Sequence, residues 1–103
     1  MAEKNGVVAE VVTGGVKLTN NSGQPIAFAV WDAGFLGLLG QCSNVSPICL
    51  RLASGASEIV KSDDIAGFGA TGTVNAYWWH VIPDGAGGHK AGPMNTITVN
   101  AGK

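Results

Sequence analysis

Two histidines, His80 and His89, are the side chains best suited to acid–base work near neutral pH. A hydrolytic triad would add a nucleophile and an orienting acid around one of them. No G-x-S-x-G occurs, His80 falls in the middle of an apolar run, and His89 falls in a glycine-rich stretch. A metal site would draw on His80, Asp84 and His89, with Asp63 and Asp64, but their spacing follows no ligand rule. "GAGGHKAG" (85–92) has the glycines of a phosphate loop without G-x-x-x-x-G-K-[ST] and without a following helix. Cys42 and Cys49 bracket six residues, a spacing unlike that of zinc sites. They read either as a disulfide staple of an oxidising compartment or as two buried thiols. The disulfide is the expectation carried forward. The chain is therefore read as non-enzymatic, with no catalytic residue, metal or cofactor. His80 is expected to be a strand residue with a structural hydrogen bond.

The other residues able to do something specific are aromatic. "NAYWWHVIPD" (75–84) holds the single Tyr and two of the three Trp. Side chains alternate between faces along a strand. Val74, Ala76, Trp78, His80 and Ile82 share one face; Thr73, Asn75, Tyr77, Trp79 and Val81 share the other. The first face is the more apolar, so Trp78 is expected in the core and Tyr77 and Trp79 on the outside. With Trp31 nearby they would form an aromatic platform, suited to a protein interface or to stacking on sugar rings. Alternatively, residues 31–42 or 83–93 of the same chain cover them.

These residues need a scaffold, and the chain supplies strands. Sixteen glycines punctuate short β-rich runs, and no window sustains a 3.6-residue apolar period. Strands are expected at 7–12, 16–20, 26–31, 48–53, 58–62, 73–82 and 94–99. Val16, Leu18, Ile97 and Val99 should point inward; Ile26, Phe28 and Val30 share a face, and Leu50 and Leu52 share another. About seven short antiparallel strands in one domain favour an all-β, immunoglobulin-like sandwich over a small barrel. One segment breaks the alternation. "WDAGFLGLLGQC" (31–42) sets Phe35, Leu36, Leu38 and Leu39 among three glycines. It reads as an irregular apolar segment, either a lid on the sandwich or a patch for a protein partner or membrane surface.

Totals narrow the function classes. The 103 residues suit one domain over 1–103. Only 13% are charged against 46% hydrophobic, so the surface must be built from small and weakly polar residues. A net charge of −1 with no basic run gives no electrostatic footprint for nucleic acid. No apolar run reaches the roughly 20 residues of a spanning helix. "NNS" (20–22) and "NVS" (44–46) match the glycosylation acceptor pattern, which is too short to carry weight.

"VKLTNNSGQPIAFAVWD", "CLRLASGASEIV" and "YWWHVIPDGAGGHKAG" together resemble small Ig-like β-sandwich domains of exported bacterial proteins. The resemblance covers most of 16–99. It implies sandwich architecture and brings no catalytic residue. The chain also resembles the membrane-extrinsic accessory subunits that brace bacterial photosynthetic reaction-centre and light-harvesting assemblies. The function expected is thus a structural subunit docking on protein subunits of a larger assembly at a membrane surface. Trp31, Phe35, Leu36, Leu38, Leu39, Tyr77 and Trp79 would form the interface. The location implied is periplasmic or extracellular, although residues 1–15 show no h-region or cleavage motif, which keeps the cytoplasmic side open. The alternatives are a carbohydrate- or ligand-binding sandwich, and a coat or filament subunit adding strand edges such as 7–12 to a neighbour's sheet.

Overall fold

Glycine turns divide the chain into strands whose apolar residues meet between two antiparallel sheets. The computed structural model describes residues 2–35, 50–83 and 85–101. The strands are β1 (Ala2–Lys4), β2 (Val7–Val12), β3 (Gly15–Asn20), β4 (Ile26–Asp32), β5 (Leu50–Leu52), β6 (Ser57–Lys61), β7 (Thr73–Pro83), β8 (His89–Ala91) and β9 (Asn95–Asn100). Sheet one has the order β1-β2-β3-β6. Sheet two has the order β5-β4-β7, with β9 and then β8 along the far edge of β7. The all-β expectation holds. All seven expected strands are present, and β1 and β8 join them.

The core lies between the sheets. Val7, Ala9, Val16, Leu18 and Val60 face Ile26, Phe28, Val30, Leu52, Val74, Ala76, Trp78, Ile97 and Val99, with Ile65 from the loop before β7. Trp78 is fully buried there, as alternation requires. Each large apolar side chain so buried contributes about 1.5–3 kcal/mol.

Two turns show why the register holds. Asn5 and Gly6 both have positive φ, 53° and 93°, which suits the two-residue turn joining β1 to β2. Gly15 starts β3, where a Cβ would fall on the Val60 carbonyl of β6. The turn joining β2 to β3 is thus Thr13-Gly14, with Gly15 already paired to Val12.

Asn20 links the two sheets. Its Nδ2 donates to the carbonyls of Gln24 (2.8 Å) and Leu52 (3.1 Å). Its Oδ1 accepts from the Ser22 amide (3.0 Å) and hydroxyl (2.6 Å). A buried amide so fully paired costs little and specifies geometry. It also leaves the 20–22 acceptor pattern inaccessible in the folded chain.

Strand 7–12 is an edge over its second half only: β1 pairs along it from Ala2 opposite Ala9 to Lys4 opposite Val7, and no described residue pairs Glu10–Val12 on that side. Leu50 shares a face with Leu52, the two lying opposite Phe28 and Ile26, but it is 49% exposed, at the end of a strand only three residues long. His80 keeps its strand position, but its Nδ1 is buried without a hydrogen-bond partner. The imidazole instead meets the Trp78 ring edge-on, with centroids 5.2 Å apart. Leu36, Leu38, Leu39, Cys42, Cys49 and Asp84 lie outside the described residues, as does the disulfide expectation.

Candidate interaction surface

The outer face of sheet two carries the aromatics that alternation turned away from the core. Trp31 stands on β4 and Tyr77 on β7, one pairing step apart: Ala29 lies opposite Tyr77, and Trp31 opposite Asn75. Their rings meet edge-to-face, with centroids 5.7 Å apart at 61°. Phe35 packs on the other side of Trp31 at 5.2 Å and 73°. Such pairs add about 0.5–1.5 kcal/mol beyond their buried area. Trp31 and Tyr77 are half-buried and Phe35 is exposed.

Asp32 holds this cluster in place. It ends β4, is fully buried, and no sequence pattern singled it out. Its carboxylate accepts from the Gly34 amide (2.8 Å), the Thr71 amide (3.2 Å) and the Thr71 hydroxyl (3.1 Å). Its backbone carbonyl accepts from the Phe35 amide (2.9 Å), and its own amide donates to the Ala66 carbonyl (2.9 Å). One residue therefore ties the turn bearing Phe35 and the 63–72 loop to the end of β4. Burial pushes the Asp32 carboxyl up, but the hydrogen bonds from Gly34 and Thr71 outweigh it and hold it below the usual carboxylate range.

Polar groups flank the rings. Asn75 Nδ2 donates to the Tyr77 hydroxyl (3.2 Å), and the Thr98 hydroxyl donates to Asn75 Oδ1 (2.7 Å). The strand neighbours around Trp31 and Tyr77 are Ala29, Asn75, Thr96 and Thr98, none of them charged. Alternation alone could have placed Asn75 beside Tyr77; the contribution of Thr98 needed the β7–β9 register.

Trp79 departs from its expected place on an open face. It does point to the outer side, yet it is fully buried. Ala27, Tyr77, Val81 and Ala91 pack with it as a second, small apolar cluster. Ala91 belongs to β8, within the 83–93 connection, and pairs with Val81. The outer face is therefore divided. Around Trp79 it is closed by the chain itself; around Trp31, Phe35 and Tyr77 no described strand covers it, and the cover expected from residues 31–42 falls largely outside the described residues.

Among the described residues, no cluster of three or more His, Cys, Asp or Glu is placed to hold a metal ion. Asp63 and Asp64 sit in a short 3-10 turn after β6 (Ser62–Asp64). No helix among the described residues is long and apolar enough to cross a membrane.

No family model, curated protein or solved structure matches this chain.

Proposed function

We propose that the chain is a non-enzymatic docking module, a structural accessory subunit that binds a larger assembly through the outer face of sheet two. The observation carrying this reading is the Trp31–Phe35–Tyr77 cluster, solvent-accessible among uncharged strand neighbours and fixed from behind by Asp32. Aromatic anchors held rigidly lose little entropy on binding, and such residues dominate interface energies. The strand order supports the Ig-like assignment. β2-β3-β6 against β4-β7-β9 follows the A-B-E and C-F-G order of such sandwiches. The narrower setting, a membrane-extrinsic subunit of a photosynthetic reaction-centre or light-harvesting complex in an exported compartment, draws its support from the sequence resemblance.

The test is native purification from the source membrane, with wild type and a Trp31→Ser/Tyr77→Ser variant side by side. Wild type should co-purify with an assembly and the variant should run free. A wild-type chain recovered only free in solution would sink the proposal.

A second reading has its own support. The Thr98–Asn75–Tyr77 hydrogen-bond chain beside the half-buried rings of Tyr77 and Trp31 offers hydroxyl-directed polarity next to stacking surface, which suits neutral carbohydrate. Titration with neutral polysaccharides separates the two: a shift in tryptophan emission, lost in Tyr77→Ser, favours sugar, and a flat response removes it.

A further inference from the structure

The two long sides of the sandwich differ. On one side β9 lies against β1 and β2, and Asn5 Nδ2 donates across the seam to Asn95 Oδ1 (2.9 Å). On the other side the sheets part. β6 pairs β3 on one edge, and no described strand pairs its other edge. Among the described residues β5 covers β4 only from Ile26 to Phe28, so Ala29 and Val30 have no described strand partner on that edge. Between β4 and β6 lies a cleft of about 370 Å³. Val30 and Val60, both buried, form its floor; Trp31, Leu50 and Ile59 form its rim. Leu50 and Ile59 are 49% and 51% exposed, the two most exposed large apolar side chains among the described residues. Glu58 and Asp64 also line the cleft, and no basic residue does so among the described ones.

We infer that this cleft is a docking site for an extended protein segment that adds to the edge of β6 left unpaired by the described strands, and whose cleft-facing side chains, two residues apart, set a basic residue opposite Glu58 and an apolar residue opposite Val60. The physical logic has three parts. An unpaired strand edge offers a row of main-chain donors and acceptors, the template used in strand addition. Alternate side chains of an added strand fall on one face, so every second residue enters the apolar cleft or its rim. Glu58 is two residues from Val60 and shares its face, which puts a carboxylate on the cleft side of an edge strand. An inward charge of this kind blocks apolar strands and discourages pairing of β6 with its own copy, which would bring a second Glu58 to the same place. A strand carrying lysine or arginine satisfies the carboxylate instead. This docking is separate from that of the outer face: Tyr77 does not line the cleft, and Trp31 lies at the boundary between them.

The probe is a short synthetic peptide that alternates lysine and valine along one strand face, with threonine on the other (Lys-Thr-Val-Thr-Lys-Thr-Val), offered to the full chain. Its controls are the same peptide with glutamate in place of lysine, and a peptide of the same composition with its lysines moved to the face opposite its valines. Backbone NMR should show saturable binding, with the amides of residues 57–61 shifting and gaining protection from exchange. Glu58→Lys should weaken binding by at least about tenfold, Glu58→Gln by less, and added salt should weaken wild type. Equal binding of either control peptide, or unmoved β6 amides, overturns the inference. So does a concentration-dependent dimer that protects the same amides without peptide. Tyr77→Ser keeps the two surfaces apart: if it fails to release the chain from its assembly, the outer-face docking falls and the cleft does not.

Discussion

Trp78 and Trp79 are neighbours in sequence, are both fully buried, and both keep an indole N–H without a partner. Trp78 sits among the fifteen buried residues of the inter-sheet core. Trp79 sits with one other buried residue, Ala27, in a cluster on the opposite face of the same sheet. Equal exposure therefore conceals unequal roles. Removing Trp78 opens space between two sheets that cannot both move in. Removing Trp79 opens space on the outside of one sheet, where half-buried Tyr77 and Val81 can settle. The open part of that outer face, a few ångströms along β4 and β7, is where the aromatic cluster meets solvent.

The largest effect that would break this contrast is at Trp78. Trp78→Ala should destabilise the fold by about 3–5 kcal/mol, measured by urea denaturation, as for large-to-small changes in a core. Trp79→Ala should cost less, about 1–3 kcal/mol. Equal losses would mean that the outer cluster is as consequential as the core. The orphan indole groups sharpen the point. Trp79→Phe removes a buried donor whose lack of a partner costs about 1–3 kcal/mol, offsetting part of the lost volume, so its stability should stay close to wild type.

Asp32 tests the support beneath the open half. Its folded-state carboxyl titrates below the ordinary value, so its contribution to stability is present above the unfolded pKa of about 3.9. That contribution disappears as pH falls through the lower folded value. Denaturation curves across acid pH should show this loss in wild type, and Asp32→Asn should lack it. The Trp31–Phe35 contact should loosen in the same variant, seen as altered tryptophan emission. The smallest expected effect is at the surface: Tyr77→Ser should change stability by no more than about 1 kcal/mol while removing an anchor of the docking face.

Much of the scaffold was legible from alternation. Val16 and Leu18, Ile26, Phe28 and Val30, and Ile97 and Val99 point where a period of two puts them, because each faces the same core. Trp79 leaves the interface set because residues 83–93 cover it, the alternative stated for this face, and the cover has a readable cause. "IAFAV" is apolar without interruption, and all five of its residues, Ile26 to Val30, are buried. A continuous apolar run marks a strand covered on both faces, which was a warning that the outer face of sheet two would not be fully open. β1 and β8 escaped notice because three-residue strands have almost no period to detect. Leu50 lies on the same face as Leu52, as alternation requires, yet stays exposed, because alternation assigns a face but says nothing of where a sheet ends.

The amino-acid sequence by itself determined the all-β class, the turn positions, and the partition of β7 into a Trp78 face and a Trp79 face. These follow from local chemistry: glycine at positive φ, β-branched and aromatic runs, and a fixed two-residue period. Only the tertiary structure decided which part of the outer face closes, that Asp32 anchors the aromatic cluster, and that one side of the sandwich seals while the other leaves a cleft. Those outcomes depend on residues far apart in the chain, such as Asp32 with Thr71, Asn5 with Asn95, and Val30 facing Val60. No local pattern encodes a contact between such residues; it exists only once the sheets have packed.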